Sequence, residues 1–427
     1  MFIFAVGMDL KIFPPEELAP VAVSLPLSKS ESNRSLIIAA LTRGGQRPAP
    51  IAECDDTDAL IAALDRTSGL VNIGAAGTAM RFMTAYYACT PGIDVTLDGS
   101  ERMRRRPIGE LVDALRSLGA DIDYCGDEGF PPLHIKGRIL EGGDVTIPAS
   151  VSSQFISALL MVGPTMQNGL CLHLNGRIIS RPYISMTLEM MKFAGVCGDF
   201  NEDEQVIRVP SGHYTPGLPP VEADWSAASY WFEIAAISAN PVTIKGLHEK
   251  SMQGDAAVAR LFKVTGLESR REDNGDLSLY LTPDAGAGLE LDLTDTPDLT
   301  QTLAVTCCLL GLPFTFTGLE SLKIKETDRL AALQMELSKL GFILEIHEPG
   351  VLMWRGAHFD PGEEIEPIDT YQDHRMAMAF APAALFFPGL QINDCEVVSK
   401  SYPCFWNDLA AAGFVLDEIE KPISEND

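Results

Sequence analysis

The strongest constraint on the fold is a local pattern that recurs through the chain: an apolar helical segment, a glycine, then an alternating run that suits a strand. It occurs as Ala59–Leu64 before Gly69-Leu-Val-Asn-Ile, Leu111–Leu118 before Gly119, and Leu188–Ala194 before Gly195. It returns as Val258–Thr265 before Gly266, Leu333–Leu340 before Gly341, and Leu409–Ala412 before Gly413. A glycine there supplies the left-handed backbone that closes a helix. The six glycines are separated by 50, 76, 71, 75 and 72 residues. That interval is too long for a thin solenoid and has room for two helices and several strands per unit. Six such units in 427 residues predict an α/β protein of two similar domains, each of three units.

Charge narrows what such a protein binds. Lys and Arg number 32 against 59 Asp and Glu, a formal charge of −27 that repels nucleic acid and anionic membrane alike. Against that background, local clusters of cations stand out. Nine cysteines without a C-x-x-C pair point to a reduced, cytoplasmic protein rather than a disulfide framework. The apolar opening Met1–Gly7 lacks the basic residues and length of a signal peptide, with Met8 as an alternative start, and no run reaches membrane-spanning length.

The cations lie where helices are expected to begin. Pro26-Leu-Ser28-Lys29-Ser30-Glu-Ser32-Asn-Arg34 leads into apolar positions 36, 37, 38 and 41, which suit a helix packed on one face with Ser28, Ser30 or Ser32 as its cap. It reads equally as a capped surface helix or as an anion seat built from unpaired N–H groups, Lys29 and Arg34. Gly74–Arg81 is a small-residue turn opening another helix, and Arg102, Arg104, Arg105 and Arg106 crowd one loop. Ser152-Ser153-Gln154 starts a third helix. Lys325 and Arg329 are four apart, as on one helical face, beside Glu326. Asp373-His374-Arg375 precedes a helix over Met376–Phe380, Asp298 follows Pro297 before another, and Lys400 lies in Ser399–Pro403. No Walker loop, strand-linked G-x-G-x-x-G, H-E-x-x-H or G-x-S-x-G is present, so no cofactor and no protein-bound metal is expected.

These stretches resemble the 5-enolpyruvylshikimate-3-phosphate synthase (3-phosphoshikimate 1-carboxyvinyltransferase) family, in order along nearly the whole chain. The matching runs are Ser28–Arg34, Ala76–Arg81, Arg106–Gly109, Val151–Phe155, Arg181–Tyr183, Ser251–Asp255, Lys325–Arg329 and Asp373–Ala377. The resemblance implies an inside-out α/β barrel-type fold, with a central domain over 27–221 and a second domain joining 1–26 to 222–427, hinged around a cleft. It implies transfer of enolpyruvyl from phosphoenolpyruvate to the 5-hydroxyl of shikimate 3-phosphate by addition and elimination, in chorismate and aromatic amino acid biosynthesis, by a monomer.

By the same resemblance, Lys29, Ser30, Arg34, Ser152, Ser153, Gln154, Ser180, Asp298, Ser321 and Lys325 would bind shikimate 3-phosphate, with Tyr183 nearby. Lys29, Gly77, Arg106, Gln154, Arg329, Arg375 and Lys400 would bind phosphoenolpyruvate. Asp298 would take the 5-hydroxyl proton, and Glu326 with Lys29 would move the protons at the methylene carbon. The chain departs from the family pattern at Leu27, Ala75, Phe82 and Ser321, the last replacing a common Asn. Two alternatives are a UDP-N-acetylglucosamine enolpyruvyl transferase and a non-catalytic anion-binding relative. Against the first, Lys29 is followed by Ser30 rather than Asn, and residues 101–109 hold no Cys.

Overall fold

The computed structural model describes residues 7–16, 19–150, 152–282 and 288–420. The apolar opening before Gly7 and Val151 of the Val151–Phe155 motif lie outside the described residues. The chain forms two compact units: Leu27–Glu222, and the described residues of Met1–Pro26 together with Ala223–Asp427. We call them the inserted and the flanking unit. Glu222 belongs with the inserted one, where its N–H donates to Glu31 Oε2 at 2.9 Å and its carbonyl accepts from the Ser28 N–H at 2.7 Å.

One module recurs in both. In residues 68–136 the strand Ser68–Asn72 leads through the helix Gly77–Cys89 to a parallel strand, Asp94–Asp98. The helix Gly109–Ser117 follows, and then Asp121–Tyr124 and Leu133–Lys136 close the sheet antiparallel. The same strand order appears in residues 143–209. In the flanking unit it appears in residues 289–354, and once more in a sheet that pairs Val21–Ser24 with Val242–Lys245 across the insertion. Another flanking sheet has three strands, with Met8–Phe13 between Leu390–Ile392 and Val415–Glu420, and a parallel bridge from Ile368 to Ile392. Residues 29–64 contribute two helices, Lys29–Leu41 and Asp55–Leu64, without a four-stranded sheet among the described residues.

Five of the six glycines end helical segments, each with φ between +81° and +103°. Gly69 does not. The helix before it stops at Leu64, and Gly69 lies inside the strand Ser68–Asn72, paired with Val95.

The first helix of each module is interior. Lys29–Leu41, Gly77–Cys89 and Ser153–Val162 pack on one another in the inserted unit, and Trp225–Ser238, Thr300–Leu309 and His374–Phe380 do so in the flanking unit. Sheets with alternating buried residues, such as Leu170, Leu172 and Leu174, cover them. Interior helices need no apolar stripe. Lys29–Leu41 is therefore buried from Glu31 to Ala39, polar side chains included, rather than packed on one face as its apolar positions suggest. Among the described residues no helix is long and apolar enough to cross a membrane.

Candidate active site

The site residues cluster at helix N-termini, where unpaired N–H groups and the helix dipole favour negative charge. In the inserted unit Ser28 caps the helix Lys29–Leu41, its hydroxyl accepting from the Glu31 N–H, which puts Lys29 and Ser30 in the first turn. Lys29 Nζ lies 2.9 Å from Asp56, in the first turn of the next helix, with both side chains largely buried. Ser152 caps Ser153–Val162 by accepting from the Gln154 N–H, and Gln154 Nε2 donates to Thr78 Oγ1 at 3.2 Å. Thr78 opens the helix that starts at Gly77, so two inner helix starts are joined directly.

Arg106 completes this group. A Cβ on Gly77 would stand 2.5 Å from Arg106 Nη1, so the missing side chain leaves the guanidinium in contact with backbone. Two further arginines hold its loop. Arg81 donates to the Gly77 carbonyl at 3.3 Å and to the Pro107 carbonyl at 3.0 Å, bracketing Arg106 from both sides. Arg104 grips Asp98 with Nε at 2.9 Å and Nη2 at 2.5 Å, while Asp98 also accepts from the Gly99 N–H. That fork holds the Asp98 carboxyl below its usual range, with burial opposing. Gly77→Ala will push Arg106 off its seat. On the resemblance's assignment of Gly77 and Arg106 to phosphoenolpyruvate, KM for that compound is expected to rise about tenfold or more with melting little changed. An unaltered KM in steady-state kinetics would mean that Arg106 does not meet this substrate.

Arg34 is buried among fixed partners. Its Nε donates to Thr187 Oγ1 at 2.8 Å, Nη2 to Ser157 Oγ at 2.9 Å, and Nη1 to the Ser30 carbonyl at 2.9 Å. Its guanidinium also lies over the rings of Phe82 and Tyr183. Burial lowers its pKa to about 10, still charged at neutral pH. It ties the first turn of Lys29–Leu41 to two other helices. Ser180, buried beside that network in sequence, holds a left-handed backbone (φ 53°) immediately before the helix Arg181–Phe193. A non-glycine residue in that region is costly and marks a constrained position.

In the flanking unit Arg329 is the hub. Its Nη1 donates to Asp298 Oδ1 at 2.8 Å, Nη2 to Glu326 Oε2 at 2.9 Å, and Nε to Asp373 Oδ2 at 2.6 Å. Arg375 adds a contact of 3.3 Å to Asp298 Oδ2 and a bond of 3.0 Å to the Asp298 carbonyl. Lys325 Nζ stands 3.7 Å from Asp298 Oδ1. Burial alone would push Asp298 up, but Arg375, Lys325 and Arg329 together outweigh it and hold the carboxyl well below the usual range. Lys400 donates to the Gln372 carbonyl at 2.6 Å, in the turn that leads into Asp373 and Arg375. Ser321 is buried in the turn Glu320–Ile324.

Lys325 and Arg329 do not share a helical face. Asp328 caps Arg329–Lys339 by accepting from the Leu330 and Ala331 N–H groups, so the helix starts at Arg329 and Lys325–Thr327 form the loop before it. Asp373, similarly, caps His374–Phe380 and also binds Arg329. The partner carboxylate Asp56 and the loop-holding Arg81 have no role of their own that the sequence points to, and Asp373 is marked there only as a helix start. Each lies in a helix start or one turn beyond it, the only local signal they give.

Asp255 is buried, accepts a hydrogen bond from Ser226 Oγ, and is pushed up to about 6, chiefly by burial against the pull of Arg375. The folded protein thus binds this proton more tightly than the unfolded chain. Its contribution to stability is complete below the ordinary value of 3.8 and is lost as pH rises through about 6. Asp255→Asn should flatten that loss and melt about 4 °C above wild type at pH 7, with no gain at pH 4. Superimposable melting profiles against pH for the two proteins would refute the assignment.

The fold is one of repeated α/β modules with cations and paired carboxylates gathered at interior helix starts, a class of arrangement suited to holding anions. A family model described as EPSP synthase (3-phosphoshikimate 1-carboxyvinyltransferase) matches residues 67–409. A 3-phosphoshikimate 1-carboxyvinyltransferase of Bacteroides fragilis is 50% identical over 394 residues, covering 92% of this chain and 95% of the relative. One from Neisseria meningitidis is 38% identical over 427 residues, covering 92% and 96%. A solved EPSP synthase structure from Acinetobacter baumannii superposes with a TM-score of 0.73 at 20% identity, covering 96% of this chain and all of that one, a likeness of fold. The chain belongs to the EPSP synthase family.

Proposed function

We propose that this protein transfers the enolpyruvyl group of phosphoenolpyruvate to the 5-hydroxyl of shikimate 3-phosphate, releasing phosphate, as a step in aromatic amino acid biosynthesis. The observation that carries this reading is the pairing of family membership with intact acid–base and cation sets: Asp298, Glu326, Arg329 and Arg375 in the flanking unit, and Lys29 and Arg106 in the inserted unit. Two anionic substrates repel each other in water. Fixed cations remove that barrier and turn an encounter into a positioned step.

In this mechanism the 5-hydroxyl oxygen bonds to C2 of phosphoenolpyruvate while Asp298 accepts its proton. Glu326 with Lys29 delivers a proton to C3, giving a tetrahedral adduct. The bond from C2 to the phosphate oxygen then breaks, and the methyl group returns one proton, restoring the double bond. The ionised state of Asp298 supports its part as acceptor. Lys29, Ser30, Arg34, Ser152, Ser153, Gln154, Ser180, Asp298, Ser321 and Lys325 are assigned to shikimate 3-phosphate. Lys29, Gly77, Gln154, Lys400 and the three arginines are assigned to phosphoenolpyruvate. The contact between Gly77 and Arg106 and the bond from Gln154 to Thr78 support that grouping in the inserted unit.

We also place the enzyme in a reducing cytoplasm, a reading supported by nine cysteines without a C-x-x-C pair, and as a monomer by its family resemblance. The deciding experiment measures phosphate release from phosphoenolpyruvate with the purified protein and no added metal. Release only when shikimate 3-phosphate is present is expected. Release with UDP-N-acetylglucosamine instead, or binding without release, overturns the assignment.

A further inference from the structure

We propose that Asp144, Cys171 and His173 form a binding site for a zinc-like divalent cation on the inserted unit, separate from the acid–base and arginine sets. The three side chains lie on neighbouring parallel strands, Gly143–Pro148 and Leu170–Asn175, with Asp144 in register with Cys171. Cys171 and His173 are two residues apart and so share a face of the sheet. That face is the outward one, because Leu170, Leu172 and Leu174 turn inward and are buried.

The donor atoms converge on one point. Their mutual separations are all within 4.8 Å. His173 Nε2 is 3.5 Å from Cys171 Sγ and 2.8 Å from Asp144 Oδ1. Zinc bonds of about 2.3 Å to sulfur and about 2.0 Å to nitrogen, at tetrahedral angles, place those two atoms about 3.5 Å apart. The sulfur and nitrogen already hold that spacing. The oxygen must move out by about half an ångström from its hydrogen bond, because an oxygen–nitrogen edge around the metal is about 3.3 Å. Asp144 is exposed enough to rotate, and the ladder keeps the strands themselves in place.

The chemistry favours a borderline metal over calcium or magnesium. One thiolate, one neutral imidazole and one carboxylate suit zinc or cobalt, whereas hard cations take oxygen ligands. The two negative charges match a divalent ion, and a fourth position remains for water. One cation opposes this: Arg208 stands in register with Cys171 on the next strand. It is drawn aside by Glu204, 3.4 Å from its Nη2. The site is held by backbone ladders rather than loops, and its role is to cross-link two strands of one sheet.

The test titrates the whole protein with cobalt(II), reading the sulfur-to-cobalt charge-transfer absorption, and then with zinc(II) by calorimetry. We expect one tight equivalent with the thiolate band. Cys171→Ser should abolish the band, and Cys171→Ser and His173→Ala should each weaken binding by more than about tenfold. Cys125→Ser and Cys197→Ser, which alter other exposed thiols of this unit, should keep both signals. Circular dichroism and phosphate release equal to wild type will show that Cys171→Ser is folded. Absence of the band in wild type, or its survival in Cys171→Ser, overturns the proposal.

Discussion

Asp298→Asn is expected to lower kcat by about a thousandfold while shikimate 3-phosphate binds within a few-fold of wild type, because on the proposed mechanism the change removes the proton acceptor and little volume. Asp298 is buried in the turn Pro297–Leu299 at the start of an interior helix, within reach of three cations. With them in place it is a carboxylate at any working pH, available to receive a proton but weakly basic. Arg329 and Arg375 are also the groups assigned to phosphoenolpyruvate. On that assignment, a substrate carboxylate or phosphate drawing them away from Asp298 would remove the charges that depress it and raise its basicity. Binding and activation of the base are then one event. Glu326→Gln should show the same split, a large fall in kcat with small changes in binding. A variant that instead raises KM with kcat unchanged would make that carboxylate a ligand holder and remove it from proton transfer.

The module and the helix starts were legible in the sequence because both are local. Glycine closes a helix within one turn, and Ser28, Ser152 and Asp373 cap helices within three residues of themselves. The partners were hidden because they are distant. Arg34 meets Thr187 and Ser157, 153 and 123 residues away, and Arg329 meets Asp373, 44 residues away. Neither contact leaves a periodicity. The polar run Glu31–Ser35 reads as one face of a capped surface helix, yet it is buried; Glu31, Ser32, Asn33 Oδ1 and Arg34 find hydrogen-bonding partners inside the fold. Lys325 and Arg329 had helical spacing, but Asp328 competes for the cap and starts the helix after Lys325. Gly69 had the right neighbours and the wrong place: the chain needed the glycine in a strand.

Arg329→Met should be the most destabilising single change in the flanking unit. The guanidinium is 2% exposed and bonded to three carboxylates, which without it lie close together in a poorly solvated site. Breaking a buried pair by removing one partner costs about 3–5 kcal/mol, mainly because the other charge is left uncompensated. In a unit of this size that lowers Tm by about 10 °C. Methionine keeps much of the volume, so a cavity contributes little. Arg329→Lys should recover only part of the loss, since one ammonium cannot reproduce a planar fork aimed at Asp298, Glu326 and Asp373 in fixed directions. Asp373→Asn in the Arg329→Met background separates charge from packing: if uncompensated charge is the cause, the second change should restore several degrees. A double variant no more stable than Arg329→Met would mean that lost hydrogen bonds and packing, rather than buried charge, set the cost.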